Sequence, residues 1–273
     1  MLIVDAQIHL WSQGIPTNAA HRQIPSYSAE ECLMEMDNGG VRAALIHPPG
    51  WDPNSLMVAE SAAVHYPDRF AILGQFPLDK PESKDLIAGW KTRPGMLGLR
   101  FALLQPHQLN WPTDGTMDWL WPACEKAGIP VALMASGFLP TVAKVAERHP
   151  GLKLIIDHFG RARGGKDDAA FANVEEVAAL AKFPNVALKA TGAPGYSTQS
   201  YPFRNLHDPL HRLFDAFGPD RFFWGTDITR MPCSYRQCVT FFTEELPWLS
   251  GQDLEKVMGR GLAKWIGWDF KFA

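Results

Sequence analysis

Short runs of apolar and β-branched residues recur along the chain, and between them lie longer stretches whose apolar positions repeat every three to four residues. Runs of the first kind are buried strands, and stretches of the second kind are amphipathic helices. Taken in order, the runs give eight strand candidates: 2–9 (LIVDAQIH), 42–47 (RAALIH), 70–76 (FAILGQF), 96–101 (MLGLRF), 130–135 (PVALMA), 152–158 (LKLIIDH), 185–190 (NVALKA) and 221–227 (RFFWGTD). Strands alternating with helices argue for parallel βα units, and eight units are the number that closes a barrel. The expected fold is therefore α/β: one (β/α)8 TIM barrel over residues 1–273, with an additional C-terminal helix. After the eighth strand the helical period continues near 234–247 and again near 251–265.

Local start signals support these boundaries. Ser28 followed by Glu31 reads as a capping box before the helix of the 30s, and Ser83 stands before DLIAGW as a start residue. The seventh connection, GAPGYSTQSYPFRNLH, is long and rich in Gly, Pro, Ser and Tyr, which suits a loop covering a ligand at one end of the barrel. No linker, charge block or low-complexity run divides the 273 residues, so a single domain is the economical expectation.

Composition removes several alternatives. Apolar residues make up 46% and charged residues 20%, enough apolar material for a large core and too much for disorder. A formal net charge of -3 leaves no general basic surface, so nucleic acid is not an expected partner. Cys32, Cys124, Cys233 and Cys238 form no C-x-x-C pair, which points to reduced thiols rather than a disulfide framework or structural zinc. With no basic leader and no long apolar stretch, the expectation is a cytoplasmic protein without a membrane partner. A small-molecule substrate remains, with self-assembly into a homo-oligomer left open.

Closing a barrel brings the C-terminal ends of its strands to one mouth, and strand eight is expected to hydrogen-bond strand one. Polar residues at those ends become neighbours. Gln7 and His9 share a face of strand one by the period of two, Asp157 and His158 end strand six, and Asp227 ends strand eight. Each has an ordinary alternative: a core histidine bonded to backbone, or Asp227 as a helix N-cap with Thr229 beginning the next element. Their convergence favours chemistry.

The quoted runs also carry a resemblance. DAQIHLW at strand one, IIDHFG at strand six, NVALKATG at strand seven, FFWGTD at strand eight and the closing VMGRGLAKWIGW together resemble the amidohydrolase superfamily. The likeness is in particular to the amidohydrolase-2 branch that contains sugar-lactone and pyrone-dicarboxylate lactonases and metal-dependent decarboxylases. The likeness runs over essentially the whole chain. It departs where it bears most on mechanism: Gln7 stands where the family has its first metal-binding histidine, and strand five, with Met134 and Ser136 near its end, offers no histidine. The resemblance permits both metal-dependent and metal-independent members.

With His9, His158 and Asp227 as the remaining ligand types, and an amide a poor zinc donor, the reading preferred from sequence is a site without a metal. Asp227 is the expected general base on water, His9 and His158 polarise the substrate carbonyl, and Gln7 adds an amide hydrogen bond. Such a set suits an activated ester, so a lactone is the expected substrate. Arg100, Lys189 and Arg230, with Arg161 and Arg163, form a basic rim for a substrate carboxylate, though Lys189 and Arg100 could instead neutralise a barrel carboxylate. Tyr196, Tyr201, Trp111, His47 and Trp51 are candidate pocket walls. Two rival readings stand: a zinc- or manganese-dependent hydrolase or decarboxylase using His9, His158 and Asp227 with one unexpected ligand such as His47 or Gln7, and a barrel that only binds a small molecule.

Overall fold

In a computed structural model, which describes residues 1–80, 82–162 and 164–270, all eight runs form strands. They are β1 (Val4–Ile8), β2 (Ala43–Ile46), β3 (Phe70–Gly74), β4 (Met96–Phe101), β5 (Val131–Leu133), β6 (Leu154–Ile156), β7 (Val186–Thr191) and β8 (Phe222–Gly225). Neighbours in sequence pair in parallel from β1 through to β8. The helices are α1 (Ala29–Gly39), α2 (Ser55–His65), α3 (Ser83–Gly89), α4 (Leu120–Ala127), α5 (Leu139–Arg148), α6 (Val174–Ala178), α7 (His207–Phe217) and α8 (Tyr235–Glu244). The architecture is a TIM barrel, nearly closed.

Alternation along the strands separates two cores. Val4, Ala6, Ala43, Leu45, Ala71, Leu73, Ala132, Ile155, Ala187 and Phe223 fill the interior, and their alternate neighbours face the helices. The expected C-terminal helix arrives as α9 (Gly251–Glu255), a π-turn at Lys256–Arg260 and α10 (Gly261–Ile266). Leu262 and Ile266 of α10 join the interior core and stop the barrel from below. Gly259 makes this possible, because a Cβ there would lie 2.9 Å from the Leu2 carbonyl and 3.0 Å from the Val4 nitrogen.

Ser28 and Glu31 form the expected capping box. Ser83 differs: it lies inside the first turn of α3 and donates its hydroxyl to the Pro77 carbonyl, while the N-cap position is Glu82, with no side-chain cap. An internal turn acceptor outcompetes the cap. The seventh connection folds as two short 3₁₀ turns, Ala193–Tyr196 and Arg204–Leu206. It is tied to the preceding loop by Asp167, which accepts from the Thr198 amide (2.8 Å) and hydroxyl (2.7 Å) and from Asn205 (2.6 Å). Among the described residues, no helix is long and apolar enough to cross a membrane.

The seam between β8 and β1 is not the ladder that the sequence leads one to expect. Beyond the strands, the Asp227 amide donates to the Gln7 carbonyl at 2.8 Å, and the Asp5 side chain supplies the rest. Its carboxylate accepts from the Gln7 amide (2.9 Å), the Thr226 amide (2.8 Å) and hydroxyl, and the Tyr235 hydroxyl of α8 (2.6 Å). Gly225 leaves the room, since a Cβ there would stand 3.0 Å from an Asp5 oxygen.

A register shift explains how Asp5 reaches the seam. Val4 and Asp5 pair with Ala43 and Ala44, but Ile8 pairs with Ile46, so β1 carries one extra residue between Asp5 and Ile8. Without the bulge, Asp5 would share a face with Gln7 and His9. With it, Asp5 lies toward α8, and Gln7 and His9 face the mouth. Replacing Asp5 by Ala strips the acceptor from buried donors on β1, β8 and α8. The expected loss is about 3 kcal/mol or more in chemical denaturation, against about 1 kcal/mol for Tyr235→Phe, which removes a single bond.

Candidate active site

His9, His158 and Asp227 meet at the C-terminal mouth. His9 Nε2 lies 3.3 Å from Asp227 Oδ1, and His158 Nε2 lies 4.0 Å from Asp227 Oδ2. All three are buried. His158 and Asp227 also hold left-handed backbone, with φ of 52° and 56°, at the points where β6 and β8 end. Non-glycine residues pay for that conformation, and strain of this kind gathers where side-chain direction matters more than local stability.

Hydrogen bonds assign the protons. Gln7 Nε2 donates to His158 Nε2 at 3.0 Å, and His158 Nδ1 faces the Thr191 hydroxyl at 3.0 Å, which is a neutral imidazole with its proton on Nδ1. Burial pushes His158 down to about 3, with Arg230 adding to the effect. His9 is different. Its Nδ1 donates to the His47 carbonyl at 2.6 Å, so its Nε2 points a lone pair at Asp227 Oδ1, which has no hydrogen-bond partner of its own. Two acceptors facing each other at 3.3 Å need something positive between them. A proton on Nε2 or a cation satisfies both; burial lowers the proton affinity of His9 and Asp227 raises it.

A third imidazole, His21, stands at the same place. His9, His21 and Asp227 each offer a ligand atom within 4.8 Å of the others. His21 Nδ1 is held by the Thr229 hydroxyl at 2.8 Å, which leaves Nε2 free. Burial pushes His21 down to about 4, so it is a neutral donor at pH 7. Two imidazoles and the ionised Asp227 carboxylate, through its unpaired Oδ1, fit one zinc-like ion with an open fourth position. His158 is outside this group, because Gln7 already occupies its Nε2. His21 was not legible beforehand: it is a lone histidine in a polar loop, and only its position between β1 and α1, on the mouth side, hinted at a role.

Asp227 itself stays ionised. Burial alone would raise it, but His9, His21, Arg230 and His158 outweigh burial and hold it well below the usual carboxylate range. Arg230 Nη1 bonds Asp227 Oδ2 at 3.0 Å. As the alternative had it, Asp227 does occupy the residue before a 3₁₀ turn at Ile228–Arg230, but its side chain makes no cap bond there.

Arg100 and Lys189 take the structural option. Both pair with Asp157, at 2.8 Å and 2.9 Å, and Lys189 also lies 2.9 Å from His47 Nε2. Burial pulls Lys189 down to about 8 against the pull of Asp157, and the two cations hold Asp157 far below its ordinary value. Arg100 uses only Nε on Asp157, which leaves the end of its guanidinium for a ligand. The His47 ring is fully buried in this floor, and its carbonyl is what reaches the site, through His9.

Around the rim, the Trp51 ring packs 5.7 Å from His9 and 5.0 Å from His21. Arg161 lies 3.7 Å over the Tyr196 ring. Trp51 Nε1, Gln7 Oε1, Tyr196 OH, Arg161 Nε and Arg230 Nε are all buried without partners. Tyr201 belongs elsewhere, bonding Thr240 of α8 at 3.0 Å, and Trp111 packs on His107 in the β4–α4 loop. Arg163 lies outside the described residues.

Taken together, the fold and its mouth define a TIM barrel with its polar groups gathered on the C-terminal strand ends. The chain belongs to the amidohydrolase family, whose model matches residues 4–261. It is similar to an L-fucono-1,5-lactonase of Burkholderia ambifaria, 25% identical over 160 residues that cover 58% of this chain and 54% of that protein. The match thus spans about half the length of that relative. Among solved structures it is similar to an amidohydrolase from Burkholderia multivorans with bound zinc (TM-score 0.83, 20% identity, 98% and 99% of the two chains). It is also similar to a probable 2-pyrone-4,6-dicarboxylic acid hydrolase from Acinetobacter baumannii with citric acid bound (TM-score 0.75, 16% identity, 98% and 100%). At these identities the structures speak for the fold.

The neutral His158 has a consequence in acid. Its folded-state value of about 3 lies below the unfolded value of about 6.5, so below that pH the unfolded chain takes up a proton that the native state refuses. Stability is therefore lost as pH falls from about 6.5 toward 3. Thermal midpoints measured from pH 7 to pH 4.5 are expected to fall further for the wild type than for His158→Gln; parallel curves would remove His158 from the acid response.

Proposed function

We propose that this protein hydrolyses a small cyclic ester that carries a carboxylate, with Asp227 as general base on the attacking water and without a required metal. The observation that carries the proposal is the pair formed by His9 Nε2 and the unpartnered Asp227 Oδ1, 3.3 Å apart in a buried mouth. Water bound at Asp227 Oδ1 gives its proton to the carboxylate as its oxygen adds to the lactone carbonyl. A proton on His9 Nε2 stabilises the developing oxyanion and passes to the ring oxygen as the C–O bond breaks. Transfer from Asp227 back to His9 restores both groups.

Gln7 and Thr191 keep the His158 ring fixed beside the carboxylate, where in its neutral form it presents a wall and a dipole. A base held as far down as Asp227 is weak, which suits an ester activated by its ring rather than an amide. The end of Arg100, together with Arg161 and Arg230, supplies donors for the substrate carboxylate, and Gln7 Oε1 and Trp51 Nε1 are free for its hydroxyl or ring oxygens. The likeness to a lactonase supports an ester over an amide.

A second reading is favoured by His21. With His9 and Asp227 it would hold one divalent cation, which when bound would polarise the carbonyl and lower the pKa of water. In that case Thr229 orients His21, and Gln7 keeps His158 out of the coordination sphere.

Three measurements decide. Turnover of a panel of sugar lactones and carboxylated lactones is expected to survive chelator treatment unchanged; stoichiometric zinc or manganese lost together with activity would put the cation in place of the proton. Asp227→Asn is expected to lower kcat by about two orders of magnitude or more on any substrate turned over, with the fold retained. Release of carbon dioxide from an aromatic acid, with no lactone turned over, would assign a decarboxylase instead.

A further inference from the structure

The segment that carries Asp227 into α8 holds two cysteines which the hydrolytic site does not use. Cys233 is half-buried directly before the N-cap Ser234, and Cys238 is buried in the first turns of α8, with its Sγ 3.6 Å from that of Cys233. Among the thiols of the chain this pair is set apart, because Cys32 and Cys124 lie in other elements and are sealed in the core, where burial pushes both thiols up.

We propose that Cys233 and Cys238 are a reversible thiol–disulfide site, with Cys233 as the thiol that meets a peroxide and Cys238 as the thiol that resolves it. A disulfide needs the sulfurs at about 2.05 Å, so closure asks for about 1.5 Å of movement, which side-chain rotation at the half-exposed Cys233 supplies. The roles follow from position. Cys233 stands one residue before the N-cap of a ten-residue helix, whose dipole favours an anion at that end, and its contact with Cys238 also favours the thiolate. Cys238 is pushed up by the same contact and by burial, so it keeps its proton until a partner sulfur is activated.

The chemistry balances with one peroxide. The Cys233 thiolate attacks a peroxide oxygen and becomes a sulfenic acid, and water leaves after protonation. Cys238 then attacks that sulfur, the S–O bond breaks, and the departing hydroxide takes the Cys238 proton as a second water. Two thiols are oxidised by two electrons, and the peroxide is reduced to two waters.

Closure would shorten the path between Arg230 and α8, the two points at which this segment holds Asp227 and, through Tyr235, Asp5. The site does not depend on which substrate the mouth takes.

Peptide mapping tests it directly on the full chain. Trypsin cuts after Arg230 and Arg236, so Met231–Arg236 and Gln237–Lys256 separate unless a disulfide joins them. After exposure to hydrogen peroxide the joined pair is expected, with a loss of two hydrogens from the intact mass, reversed by dithiothreitol. In Cys238→Ser, dimedone should trap a sulfenic acid at Cys233, and Cys233→Ser should show neither product. Peptides that stay separate, with Cys233 either untouched or carried on to the sulfinic acid in the wild type, would overturn the proposal.

Discussion

A barrel with eight parallel strands has one place where the chain must join its end to its beginning, and here that join rests on a carboxylate. Asp5 accepts from β1, β8 and α8 at once, in the position where a ladder would otherwise run. Burial raises its proton affinity to about 6, and the donors pull the other way, so at neutral pH the seam holds a charge that its hydrogen bonds must satisfy in full. The constraint spreads outward from there. The bulge that turns Asp5 aside is the same irregularity that leaves Gln7 and His9 facing the mouth, and the bond from Asp227 to Gln7 sits one step above it.

The mouth is best understood as two tiers of charge. The lower tier is Asp157 held between Arg100 and Lys189, with His47 packed against it, all deep among small interior residues such as Ala6 and Ala187. An ion pair this deep gains little net stability from its own attraction, but removing one member would strand the others. The upper tier is Asp227 with Arg230, His9, His21 and His158. His47 joins the tiers, since its ring belongs to the floor and its carbonyl fixes the orientation of His9.

Much of this was legible in the chain because a strand's period and position decide where its last residues go. Eight runs in sequence order gave the barrel, and the residues that close β1, β6 and β8 gave the convergence of His9, His158 and Asp227. What escaped depended on loops and irregularities. His21 is carried in by a loop whose path follows from Arg22 bonding the Thr229 carbonyl, a contact between residues far apart in the chain. The bulge was hidden because Asp5, Gln7 and His9 alternate regularly with Ala6 and Ile8, and an unbroken period of two gives no sign of an extra residue between Asp5 and Ile8. The division of Arg100 and Lys189 between a ligand and Asp157 could be posed from sequence, yet only the geometry gave both of them to the carboxylate.

The arrangement of cations and carboxylates around the mouth bears on how a catalytic cycle would end. Three cations, Arg100, Lys189 and Arg230, face two carboxylates, Asp157 and Asp227, so the cavity carries a surplus of positive charge. Opening a lactone creates a new carboxylate, and the hydroxy acid therefore leaves with one more negative charge than the ester brought in. Under that chemistry the cavity grips what it makes more firmly than what it takes, and departure of the acid, eased by salt, becomes the slow stage of turnover.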